Sequence, residues 1–88
     1  MNNNTYTFYS DSSHGWLEVP IHEIEKLGIK NNISNFSYIN NNLAYLEEDC
    51  DASVFIKAYE KHFGSKPKIF ESLKENNNIR YFHRFNFN

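Results

Sequence analysis

Apolar and polar residues alternate with period two in several short stretches and recur at helical spacing in two others. Thr5-Tyr6-Thr7-Phe8-Tyr9 is β-branched and aromatic, so it predicts a first strand with Tyr6 and Phe8 on one face. Asp11-Ser12-Ser13-His14-Gly15 is turn chemistry: Asp and Ser bond their own backbone and Gly permits positive φ. Trp16-Leu17-Glu18-Val19 follows as a second strand. Pro20 fits the first turn of a helix, where its missing N–H costs nothing. Ile21, Ile24 and Leu27 then recur at helical spacing, with His22, Glu23, Glu25 and Lys26 on the other side and Gly28 as a C-terminal stop.

Residues 33–39 and 43–47 predict a hairpin around Asn40-Asn41-Asn42, because Asn tolerates the left-handed region better than other non-glycine residues. Phe36 and Tyr38 would share a face of the first of these strands. Asp49 or Asp51 is expected to cap a second helix, accepting from the free amides of its first turn. Val54, Phe55, Ala58 and Tyr59 form that helix's apolar stripe, Lys57, Glu60 and Lys61 face water, and Gly64 ends it with Pro67 beyond. Residues 68–73 and 79–85 predict a strand–turn–strand unit around Asn76-Asn77-Asn78, with Ile79, Tyr81, His83 and Phe85 on one face. The order β-β-α-β-β-α-β-β predicts a single α+β domain over residues 1–88, with a mainly antiparallel sheet and two short helices. Residues 1–4 are expected to be disordered.

Length and composition narrow the classes. Eighty-eight residues make one small domain with a modest core. A net charge of −2 excludes a strongly basic nucleic-acid binder and a strongly acidic mimic of DNA. The single cysteine, Cys50, excludes an intramolecular disulfide. No apolar run approaches the ~18 residues of a membrane span, and the first residues lack the pattern of a signal peptide. The expectation is a cytoplasmic protein without membrane contact. The charge is unevenly placed: residues 1–56 carry an excess of acids and residues 57–88 an excess of bases. That pattern fits separate acidic and basic faces, or halves that cancel on packing.

Several clusters carry candidate chemistry. Asp11, Ser12, Ser13 and His14 hold the residue types of a hydrolytic triad, but neighbours on one loop rarely align as a triad does. The plainer reading is an Asx turn with His14 packed beside Trp16. Glu47-Glu48-Asp49-Cys50-Asp51 is the densest polar cluster. It is compatible with a hard cation, with a helix cap plus solvated acids, or with an acidic knob that imitates phosphates and docks on Arg and Lys of a partner. Cys50 lies beside four carboxylates that disfavour its thiolate, and is expected to be a small buried hydrophobe. His14, His22, His62 and His83 show no zinc-ligand spacing, so no metal or other cofactor is expected. Lys66, Lys68, Lys74, Arg80 and Arg84 interleave with aromatics near the C-terminus, as on surfaces that stack bases, although an amphipathic terminal strand explains the same pattern.

The stretches His14-Gly15-Trp16-Leu17-Glu18-Val19-Pro20, Leu27-Gly28-Ile29, Ile33-Ser34 with Phe36-Ser37-Tyr38, and Tyr45-Leu46-Glu47-Glu48-Asp49-Cys50-Asp51 together resemble a group of small proteins carried by phages, plasmids and bacterial genomes. The resemblance covers roughly residues 6–60. The group often has Gly in the turn held here by Asn40–Asn42, and Pro where Ser13 stands. It brings no established activity. It implies a mobile-element setting, in which small proteins often inhibit host defence, as anti-CRISPR proteins do, by binding. The expectation is therefore a non-catalytic inhibitor that contacts a host protein or ribonucleoprotein complex through Glu47, Glu48 and Asp49. The alternative is a nucleic-acid-binding module using Lys66, Lys68, Lys74, Arg80 and Arg84.

Overall fold

A computed structural model describes residues 5–73 and 78–85, with Arg80 described by its backbone alone. The expected disorder of residues 1–4, most of the Asn76–Asn78 turn and the position of Lys74 lie outside the described residues. Strand β1 (Thr5–Ser10) pairs antiparallel with β2 (Gly15–Pro20). Helix α1 (Ile21–Lys26) follows, with Pro20 at its N-cap rather than inside its first turn. Strands β3 (Tyr38–Asn40) and β4 (Leu43–Glu47) close a hairpin in which Asn41 takes the left-handed conformation, φ 58°. Helix α2 (Ala52–Phe63) ends at Gly64, whose φ of 80° needs a residue without a side chain. Strands β5 (Lys68–Leu73) and β6 (His83–Arg84) complete an α+β fold in the expected element order.

The six strands form one sheet in the order β5-β1-β2-β4-β3-β6. Among the described residues every pairing is antiparallel except β1 with β5. Side chains alternate across the sheet, so each face buries its own set. Tyr6, Leu17, Val19, Ala44 and Leu46 face the helices and pack with Ile24, Phe55 and Tyr59. Trp16, Tyr38 and Tyr45 occupy the opposite face and pack with Ile79. Trp16 is 2% exposed, in the core placement its size predicts. Gly15 belongs to this design, because a Cβ there would lie 2.3 Å from the Phe8 ring.

The structure corrects the last two strands. They form no hairpin and lie at opposite edges of the sheet. Ile79–Tyr81 winds into a 3-10 turn and only His83 and Arg84 are extended. The physical reason is the second face. Trp16, Tyr38 and Tyr45 present an apolar surface, and burying Ile79 on it takes the chain across the sheet toward β3. Ile79 and Phe85 are buried, whereas Tyr81 is 88% exposed and His83 is exposed, so these four do not share one face.

The strand expected over residues 33–39 is also shorter, beginning only at Tyr38. A polar knot replaces the ladder there. The Asp51 carboxylate accepts from the Ser34 amide at 3.0 Å, the Ser34 hydroxyl at 2.7 Å and the Ser37 hydroxyl. The Ser37 hydroxyl oxygen in turn accepts from the Glu47 amide at 2.9 Å. Asp51 stands at the N-cap of α2, as expected, yet its side chain makes no capping bond because it is spent on these serines.

Candidate functional site

The turn from Asp11 to His14 is set by one carboxylate. Asp11 Oδ1 accepts from the amides of Ser13 at 2.9 Å and His14 at 2.8 Å, an Asx turn. The turn delivers the His14 ring onto Trp16, stacked at 5.8 Å between centroids with 22° between planes. The turn after β4 is built the same way: Glu47 Oε1 accepts from the amides of Asp49 at 3.0 Å and Cys50 at 2.9 Å. A third wall comes from the loop before β3, which leaves Phe36 58% exposed beside Tyr38. Arg84 of β6 lies over the Tyr38 ring, 4.8 Å from its centroid, and donates to the Asn35 carbonyl at 3.1 Å.

These pieces enclose a cleft of about 340 Å³. Its aromatic lining is His14, Trp16, Phe36 and Tyr38; its charged lining is Glu47, Asp49 and Arg84, with Cys50 at the rim. Cys50 is exposed, which corrects the expectation of a buried hydrophobe. A hydrogen bond to the Glu47 carboxylate pushes its thiol above the usual range, helped by partial desolvation and the charges of Glu47, Asp51 and Asp49. A thiol held protonated is a weak nucleophile.

The sequence-predicted residues are partly united and partly separated. Glu47 and Asp49 line this cleft, but Glu48 lines a different one, of about 380 Å³, with Phe8, Leu17, Ile69 and Glu71 on the helix side of the sheet. The basic set is divided as well. Lys66 and Lys68 are exposed at the β5 edge, whereas Arg84 stands at the β6 edge inside the acidic cleft. Lys74 and the Arg80 side chain lie outside the described residues. Among the described basic residues, no single patch spans Lys66, Lys68 and Arg84. Sequence reasoning missed Phe36 and Tyr38 as site residues. Their available signal was the aromatic pair flanking Ser37, with Phe36 in the loop expected to be strand and Tyr38 opening β3.

A second polar cluster lies on the same face as Trp16. The Tyr45 hydroxyl donates to Glu18 at 2.9 Å. Burial pushes the Tyr45 phenol far above its ordinary value, and the bond to Glu18 and its charge add to the effect. Tyr9 shifts the same way, through burial and then Glu18. Among the described residues, no three His, Cys, Asp or Glu side chains group closely enough to hold a metal ion. None of the described helices is long and apolar enough to cross a membrane. No family model, curated protein or solved structure matches the chain.

Proposed function

We propose that the chain is a non-catalytic binding protein whose aromatic and acidic cleft docks a basic segment of a partner protein. Its proposed setting is a phage or other mobile element, where it inhibits a host defence complex in the manner of an anti-CRISPR protein. The setting rests on the resemblance of residues 6–60 alone. The binding mode rests on one observation: the cleft already seats a guanidinium. Arg84 lies over Tyr38 within the same walls that carry Glu47 and Asp49. A guanidinium from a partner finds the same chemistry there, an aromatic ring to stack on and carboxylates for charge-assisted hydrogen bonds. The division of Lys66, Lys68 and Arg84 between two sheet edges leaves the nucleic-acid reading with less support.

The experiment is affinity capture of partners from host cytoplasm, identified by mass spectrometry, with wild-type protein and two charge reversals. Asp49→Lys reverses a cleft carboxylate that is exposed and whose backbone amide donates to Glu47 within the turn. Glu48→Lys reverses its neighbour outside the cleft. A partner docked in the cleft is retained by wild type and Glu48→Lys and lost by Asp49→Lys. Equal capture by all three contradicts it.

A further inference from the structure

Arg84 belongs to β6, which pairs with β3 at two positions, Tyr38 with Arg84 and Ile39 with His83. Its guanidinium lies 4.8 Å from the centre of the Tyr38 ring. With Arg84 there, Tyr38 is only 9% exposed. The ring's other neighbour in the cleft is Trp16, edge-on at 6.4 Å and 65°. While Arg84 stays in place, too little of Tyr38 is open for a second guanidinium to stack on it.

What holds Arg84 is weak beside what the cleft can offer. It stacks on the ring and donates to a neutral carbonyl, that of Asn35, at 3.1 Å. Among the described residues the one ion pair is Lys30 with Glu25, so Arg84 pairs with neither Glu47 nor Asp49 although all three line the same cleft. A guanidinium on a separate chain is not tied to the β6 backbone. It can stack on Tyr38 and also reach the carboxylates, adding charge-assisted hydrogen bonds that Arg84 does not make. A ligand shifts an equilibrium only by its differential contacts in the two states, and those bonds are the difference. The β6 backbone need not leave, because Phe85 is 3% exposed and its amide donates to the Ser37 carbonyl at 2.8 Å. Only the exposed Arg84 side chain must swing out, and it has solvent to swing into.

We propose, on the premise that the cleft docks guanidinium groups, that Arg84 is its internal placeholder. The side chain closes the Tyr38 face in the free protein and is exchanged for an arginine of the partner. The exchange makes the cleft selective. A segment that cannot both stack on the ring and pair with the carboxylates leaves Arg84 in place. Affinity for a segment that can do both is lowered by the fraction of time the ring is covered.

The test is NMR of the full chain titrated with an arginine-rich peptide, for wild type and Arg84→Gln. In the free wild type the Arg84 side-chain methylene protons should lie upfield of their positions in the unfolded chain, shielded by the Tyr38 ring. They should return toward those positions as the peptide saturates. Arg84→Gln should bind the peptide at least about threefold more tightly, because no cation has to leave the ring. Methylene protons that are unshifted in the free protein overturn the placeholder. Protons that stay upfield at saturation overturn it as well, even if Arg84→Gln binds more tightly, because the variant then acts through net charge. An Arg84→Gln variant that binds no more tightly than wild type also overturns it, and leaves the cleft still docking guanidinium. If neither protein binds the peptide, the docking cleft fails and the placeholder falls with it.

Discussion

Asp51 ties together segments that lie far apart in the chain. Its carboxylate holds Ser34 and Ser37, 17 and 14 residues away, and its backbone carbonyl accepts from the Phe55 amide as α2 begins. It is 2% exposed and Ser37 is fully buried, so truncation leaves buried donors without a partner. We expect Asp51→Ala to cost about 3 kcal/mol in urea denaturation at unchanged slope, whereas Asp49→Ala should change stability by less than ~0.5 kcal/mol. The sequence rule that puts Asp at a helix start finds the position but not the partner. Capping is local, and nothing local announces two serines across the fold. Trp16 was legible because size and strand context suffice to bury it; Trp16→Ala should cost roughly 3–5 kcal/mol in the same assay. Tyr45 gives a pH signature. Its folded value is raised above the ordinary 10.0, so the neutral phenol is favoured in the native state. That contribution is full below the unfolded value and is lost as pH climbs from there through the folded one. Tyr45→Phe should therefore flatten the alkaline decline in stability measured by denaturation above pH ~9.

At the scale of elements, β1, β2, α2 and the Asn41 hairpin were legible because each is set by its own residues. Alternation, an apolar stripe and turn chemistry need no distant information. The C-terminal segment was not legible, since its conformation depends on an apolar sheet face that exists only after Trp16, Tyr38 and Tyr45 assemble. Ile79 is 4% exposed against that face, while Tyr81, two residues on, is almost fully exposed. Ile79→Ala should cost about 2–4 kcal/mol, and Tyr81→Ala less than ~0.5 kcal/mol, by thermal or urea unfolding. Comparable losses at both positions would return the segment to a strand with both residues on its buried face.

For the whole molecule, the sheet order decides what the charged residues can do together. The acidic stretch and the basic C-terminal residues compete as surfaces in the sequence. In the fold, Glu47, Asp49 and Arg84 share one cleft, Glu48 turns to the helix side, and Lys66 and Lys68 lie at the far edge. The acids could be singled out from the sequence, but not their aromatic walls, because Phe36 reaches the cleft from the loop that Asp51 shapes and Tyr38 from the strand that follows it. Trp16 is the single tryptophan and lines the cleft, so its fluorescence reports directly on occupancy. The most direct measurement is a fluorescence titration with an arginine-rich peptide, run beside a lysine-free acidic peptide and a random-sequence RNA. A cleft that docks guanidinium groups gives a saturable change with the arginine peptide alone, weakened about tenfold or more by Asp49→Lys and untouched by Glu48→Lys. Saturation by the RNA, or an arginine-peptide response that survives Asp49→Lys unchanged, would contradict it.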